Sequence, residues 1–205
     1  MTAMIAAILL ATALGIPGDG WEDLDWMFGL AELEAGAAGA TLFCLPDGGG
    51  RSFTAAHAPG GLLVDATVAL SLADYSGNPI VGYPAEDLWL ITSAGGLAAC
   101  PLGTSADGPT GSDGRTRWTQ PLRAGGHSLG ETLHVVVSGY VMARDLDLEF
   151  RSADLNGDLA VDLSDVAAMT VGLAAGAATC DLNNDYQVNL ADVVAFVSGL
   201  GAACP

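Results

Sequence analysis

The sequence predicts a mainly β protein: a β-sandwich over residues 39–151, followed by a small all-α pair of loop–helix repeats over 152–205. Three observations predict it. Apolar and polar residues alternate at period 2 in four runs between Thr67 and Phe150. Clusters of Gly, Pro, Asn and Asp separate those runs. From Ser152 the apolar period becomes helical, and a twenty-residue segment recurs. At 205 residues, with 51% hydrophobic and only 15% charged side chains, the chain can build a packed core in one or two domains.

The charge narrows the function classes. There are 24 acids against 6 bases, all arginine, giving a formal charge of -18. Such a chain does not release counterions from a phosphate backbone, and 6% aromatics is thin for base stacking, so nucleic acid is excluded as a partner. Adaptation to high salt and binding of divalent cations both account for acidity of this kind.

The first element is the apolar run Met4 to Gly15, twelve residues long. It is too short to span a bilayer and matches the hydrophobic stretch of a signal peptide; Ala11-Thr12-Ala13 has the form of a cleavage site. No Lys or Arg precedes it, and a buried first helix or strand is the competing reading. Residues 1–13 are therefore expected to direct export, to the medium or the cell surface. No other run approaches the length of a membrane span. Four cysteines fit an oxidising compartment. Three pairings are possible; pairing within each half joins Cys44 to Cys100 and Cys180 to Cys204. Neither half has a C-x-x-C.

Residues 14–38 form an acidic linker or docking segment, in which Trp21 to Glu34 reads as a short amphipathic helix or a linker that docks. The strands come next. Val68, Leu70 and Leu72 alternate with Thr67, Ala69 and Ser71; Leu88 and Leu90 with Trp89 and Ile91; Leu133, Val135 and Val137 with His134 and Val136; Leu146, Leu148 and Phe150 with Asp145, Asp147 and Glu149. Period 2 with one polar face marks antiparallel sheets solvated on one side. Turns are marked by Gly77-Asn78-Pro79, Gly108-Pro109, Gly111 to Gly114 and Gly125-Gly126. The strand Ala66 to Ala73 running into Asp74-Tyr75-Ser76-Gly77-Asn78-Pro79-Ile80-Val81-Gly82, with the later turn Ser112-Asp113-Gly114-Arg115-Thr116, resembles the bacterial Ig-like repeats of the invasin and intimin kind. That resemblance implies a non-catalytic spacer, adhesion or assembly domain.

The repeat carries the chemistry. Asp154 to Leu173 and Asp181 to Leu200 are offset by 27 residues and match at eleven of twenty positions. Carboxylates or amides recur at positions 1, 3, 5, 9 and 12: Asp154, Asn156, Asp158, Asp162 and Asp165, then Asp181, Asn183, Asp185, Asn189 and Asp192. Calcium takes six to eight oxygens at roughly 2.3–2.6 Å, and a twelve-residue loop wraps them around it, position 7 giving a backbone carbonyl, here Ala160 and Gln187. Val161 and Val188 at position 8 are expected to pair the loops. A helix follows each loop, with stripes Leu163, Val166, Met169, Leu173 and Leu190, Val193, Phe196, Leu200 expected to face each other. Acidic turns that merely cap two helices are the competing reading.

The duplication resembles the dockerin module, two calcium loops each followed by one helix, over Asp154 to Cys204. The full expectation is thus an Ig-like β-sandwich followed by a small all-α dockerin-like pair of calcium loop–helix repeats. The resemblance implies two bound Ca2+ and a protein partner read at positions 10 and 11, here Leu163, Ser164, Leu190 and Ala191. The sequence departs from the pattern twice. Position 6, where such loops usually carry glycine, holds Leu159 and Tyr186. The helices lack the basic residues that the family often shows, so the partner is either a cohesin-like scaffold or another copy of the chain. Seven aspartates and no bases lie between Ser152 and Pro205; the charge of -7 becomes -3 with two calcium ions, which couples metal binding to folding.

Weaker signals remain. Gly126-His127-Ser128-Leu129-Gly130 matches a nucleophile elbow, but Glu131 to Val141 is β-patterned where that motif needs a helix. No catalytic residue is assigned. His57, His127 and His134 are expected to be surface or satisfied residues, and Trp89 a core residue. Trp21, Trp26 and Trp118 could form a sugar-stacking face, which makes a carbohydrate-binding module the alternative to an extracellular assembly protein.

Overall fold

The computed structural model describes residues 27–34 and 36–205. The signal-peptide-like run, Trp21 and Trp26 lie outside the described residues. Among the described residues the chain is mainly β, with several sheets and two α-helices.

The first sheet has order β1–β5–β8, all antiparallel: β1 (Met27–Leu33), β5 (Val68–Asp74) and β8 (Arg115–Trp118). In β5 the alternation is as read: Val68, Leu70 and Leu72 are buried, and Ala69 and Ser71 half-buried. β1 corrects the reading of Trp21 to Glu34 as a helix over the part that is described. Residues 27–33 are a strand, not a helix, docked on β5 along its whole length, so the β region starts before residue 39. The strand escaped a periodicity test because it carries apolar groups on both faces. Ala31 is buried, while Leu30 is about half exposed and Phe28 packs edge-on against Tyr75 at 4.7 Å between ring centres.

The second sheet, β11–β10–β6, joins β11 (Tyr140–Val141), β10 (Leu133–Val137) and β6 (Leu88–Thr92). Trp89, expected in the core, is half-buried on the face opposite Leu88 and Leu90, as period 2 requires. β7 (Leu97–Ala99) pairs with β9 (Ala124–Gly126).

The remaining sheet, β12–β2–β3–β4, positions the site. It contains β12 (Leu148–Ser152), β2 (Ala40–Cys44), β3 (Ala56–His57) and β4 (Leu63–Val64), with β12 parallel to β2. All five residues of β2 are buried. Its alternation feeds two different cores. Leu42 and Cys44 join the large cluster of the β region, with Phe53, Leu70, Trp118 and Phe150. Phe43 and Leu45 point the other way, into a cluster with Ala153, Val161, Met169, Leu182 and Phe196. Ser152 ends β12 and Ala153 is already inside this second core, so the two regions meet with no free linker.

Helices α1 (Leu163–Ala175) and α2 (Leu190–Ser198) follow the two repeats. Each starts with a capping box: Asp162 and Asp165 for α1, Asn189 and Asp192 for α2. The expected stripes are narrower than read. Met169 and Phe196 are buried and enter the cluster that holds Phe43 and Leu45, whereas Leu163, Leu173, Leu190 and Leu200 are exposed. The helices thus cover one side of β2, whose apolar side chains take up the surface the stripes were expected to give each other.

Two further expectations are corrected. The disulfide is Cys100–Cys204, with Cα atoms 5.7 Å apart; Cys44 and Cys180 are buried free thiols. Val161 does not pair with Val188. Its N–H donates to the carbonyl of Ala202 at 2.8 Å, its carbonyl accepts from Gly201, and Cys204 N–H donates to the carbonyl of Leu159 at 3.2 Å. The C-terminal tail thus runs as a short antiparallel partner along the first loop. That path carries Cys204 away from Cys180 and to Cys100, at the end of β7. Among the described residues, no helix is long and apolar enough to cross a membrane.

Candidate functional site

The two repeats fold into loops with matching hydrogen bonds. In the first, the Asp154 carboxylate accepts the N–H of Asp158 (3.2 Å) and of Leu159 (2.8 Å). In the second, Asp181 accepts the N–H of Asp185 and of Tyr186, both at 3.1 Å. Position 12 closes each loop: Asp165 accepts from Leu155 and Asp162 at 2.9 Å, Asp192 from Leu182 at 2.8 Å and Asn189 at 2.9 Å. At position 3, the amides of Asn156 and Asn183 each donate to the position-5 carboxylate at 3.0 Å.

Backbone conformation repeats as well. Position 4 is left-handed in both loops, Gly157 at φ 73° and Asn184 at 56°. So is position 6, where Leu159 has φ 71° and Tyr186 has 67°. A non-glycine residue in that region costs on the order of 1–2 kcal/mol. Tyr186 is 74% exposed, so its ring contributes little packing in return. Tyr186→Gly is therefore expected to raise stability by about 0.5–1 kcal/mol, after the entropy that glycine adds to the unfolded chain. Denaturant midpoints compare the two; a lower midpoint for the variant would show that the ring is held by contacts worth more than the strain.

The carboxylates at positions 1 and 12 are buried in both loops: Asp154, Asp165 and Asp192 at 0% exposure, Asp181 at 4%. Burial pushes the Asp154 carboxyl above its ordinary range and the neighbouring Asp165 charge adds to this, against the N–H groups of Leu159 and Gly157. Asp192 is likewise raised by burial and by the charge of Asp181. Positions 5 and 9, Asp158 and Asp185 with Asp162 and Asn189, lie nearer the solvent; Ala160 and Gln187 donate their N–H to the position-5 carboxylates, at 3.1 and 2.9 Å. Among the described residues, no three His, Cys, Asp or Glu side chains are grouped as metal ligands. The donors on offer are two buried carboxylates in each loop, two further carboxylates in the first and one in the second, with side-chain amide oxygens and backbone carbonyls. Such an all-oxygen set suits a hard cation and neither a thiolate nor an imidazole metal.

Contacts with residues outside the repeats hold the loops in place, and periodicity did not single them out. Gly126 N–H donates to the Asp154 carbonyl at 2.8 Å, and a Cβ on Gly125 would collide with the Asp154 carboxylate. Asn184 donates its amide to the carbonyls of Gly39 and His57 at 3.3 and 3.2 Å, and its own carbonyl accepts from Gly60. Arg151 is buried. It donates to the Asp181 carbonyl, lies 3.3 Å from the Asp181 carboxylate and reaches Glu149 at 3.4 Å. Its place in the sequence, as the last base before a purely acidic stretch, was the one available signal.

The other residues singled out do not come together. Ser128 is fully buried, and its hydroxyl accepts the Phe150 N–H at 2.7 Å, which ties β12 to the turn after β9. His134 lies 3.2 Å from Asp145. His57 is buried, which together with the nearby Arg51 charge lowers its pKa. Trp118 is wholly buried and donates its indole N–H to the Thr104 carbonyl at 2.9 Å, so it belongs to the core and to no sugar-stacking face. Cys44, expected in a bridge, is a thiol that burial, with the Asp154 charge, pushes up to about 12. Leu163 and Leu190 are 84% and 73% exposed, with Ser164 and Ala191 exposed beside them. No protein-family model matches the chain, and neither a curated protein nor a solved structure matches it.

Proposed function

We propose that the chain is a secreted, non-catalytic assembly protein: an Ig-like β-sandwich carrying a dockerin-like module that binds two calcium ions. The observation that carries this reading is the duplicated loop, with the same hydrogen bonds at positions 1 and 12 and the same left-handed residues at positions 4 and 6. Helix capping alone accounts for positions 9 and 12. It does not call for buried carboxylates at position 1 or for two left-handed residues in each turn. In the first loop Asp154, Asn156, Asp158, Ala160, Asp162 and Asp165 would hold the ion, and in the second Asp181, Asn183, Asp185, Gln187, Asn189 and Asp192. Calcium supplies positive charge to carboxylates that burial otherwise disfavours. The Cys100–Cys204 bridge supports an oxidising, extracellular setting.

Leu163, Ser164, Leu190 and Ala191 are the face offered to a protein partner, either a cohesin-like scaffold or a second copy of the chain. Calorimetric titration of metal-free protein is expected to give two calcium ions per chain. Asp154→Ala with Asp158→Ala should remove one, and Asp181→Ala with Asp185→Ala the other; zero stoichiometry at millimolar calcium ends the reading. Light scattering in calcium separates the partners. A mass well above one chain, abolished by Leu163→Asp with Leu190→Asp, assigns the face to a second copy, and a strict monomer assigns it to a scaffold.

A further inference from the structure

The two loops share a hydrogen-bond pattern but not an electrostatic setting. Asp154, at position 1 of the first loop, accepts only backbone N–H groups among its described bonds. Its counterpart Asp181 has a cation beside it: the Arg151 guanidinium, 4% exposed, on the last strand of the β region. The difference extends to the loops as wholes. The first has aspartate at positions 1, 5, 9 and 12, a charge of -4. The second has asparagine at position 9 and so a charge of -3, which Arg151 reduces to -2. Arg151 is also incompletely satisfied, since its buried Nε has no hydrogen-bond partner among the described residues. A buried cation whose other carboxylate neighbour, Glu149, lies at 3.4 Å is poorly compensated once a second cation approaches Asp181.

We propose that Arg151 acts as an internal cation for the second loop: it holds Asp181 in place before metal arrives and lowers that loop's calcium affinity, so that the first loop fills first. This rests on the calcium reading given above. Arg151 is a positioning residue, acting on the metal through Asp181. A guanidinium suits the role because it is always charged and forks between the Asp181 carbonyl, the Asp181 carboxylate and Glu149. A cleft of about 510 Å³ lined by Arg151, Asp181, Asn184 and Tyr186 gives solvent ions access to the pair.

The experiment is a calcium chloride titration of the metal-free full chain, followed by the backbone amide signals of Gly157 in the first loop and Asn184 in the second. In the wild type the Gly157 signal should move at lower calcium than that of Asn184. Simultaneous movement or the reverse order overturns the proposal while leaving two sites, and so the calcium reading, intact. No movement of either signal fails the calcium reading itself. Arg151→Gln is expected to tighten the second site by about tenfold, the scale of one nearby unit charge at a partly buried site, and to leave the first unchanged. A merely structural Arg151 predicts the opposite sign, because a loosened loop binds more weakly. Arg151→Lys keeps the charge and should keep the wild-type affinity; if it behaves as Arg151→Gln, the charge argument is wrong. Should Arg151→Gln not fold, the wild-type filling order and the Lys variant still decide.

Discussion

Phe43→Ala is expected to destabilise the protein by about 3–5 kcal/mol, in a single transition that takes the β region and the helices together. Phe43 is 6% exposed and sits in the core beneath α1 and α2, although its strand belongs to the β region. Removing the ring leaves a cavity lined by groups from both regions, which cannot all close in on it. Its strand neighbours Leu42 and Cys44 are anchored in the other core, and its backbone is in register with Arg151 of β12. The loss therefore passes through β2 to both sides. Guanidinium unfolding, read for the β region by the fluorescence of Trp118 in a background with Trp21, Trp26 and Trp89 replaced by Phe, and for the helices by far-ultraviolet dichroism, should give coincident curves shifted together. If the helical signal of the variant fell at lower denaturant while that of Trp118 stayed at the wild-type midpoint, the two cores would be energetically separate. A drop on this scale is a large part of the 5–15 kcal/mol typical of a folded protein.

Cys204→Ser is expected to cost about 4 kcal/mol under oxidising conditions. The bridge spans 104 residues of sequence, and the chain-entropy argument assigns roughly 4.7 kcal/mol to closing a loop of about 100 residues. Part of this is offset by native contacts that persist without the bond: the tail still pairs with the first loop through Ala202 and Val161. Cys44→Ser and Cys180→Ser remove no bridge and should each cost less. The check is thermal unfolding of the three variants side by side, with mass mapping of non-reduced peptides. A link between the peptides of Cys44 and Cys100 would overturn this pairing, and so would equal stability losses in all three variants.

Different parts of the molecule were legible to different degrees, for physical reasons. β5 and β6 could be read because each buries one face, and burial of one face writes period 2 into the residues; in β10 only His134 marks the second face, since Val136 is buried as well. β1 and β2 carry apolar groups on both faces, and such runs have no period to detect. The loops could be read because duplication aligned Asp154 with Asp181 and Asp165 with Asp192 in one register. The left-handed position 6 was legible as a departure, Leu159 and Tyr186 standing where such a turn favours glycine. What holds the loops was not legible. Gly125, Asn184 and Arg151 act across sequence separations that only the fold brings together. The cysteines failed for the same reason: pairing within halves assumed that sequence halves are spatial halves, and the C-terminal tail crosses between them.

The bridge at Cys100 and Cys204 also sets how the molecule responds to tension. For a chain pulled from points on either side of the bridge, the covalent path enters at Cys100 and leaves at Cys204. Everything between the two cysteines, including both loops and both helices, is bypassed. At 3.3–3.6 Å per extended residue, roughly 340–370 Å of contour cannot be drawn out until the bond is reduced. The segment ahead of Cys100, with β1 to β7, lies outside the closed loop and can lengthen. In an oxidised protein under tension, that segment would therefore yield while both loops keep their shape under load.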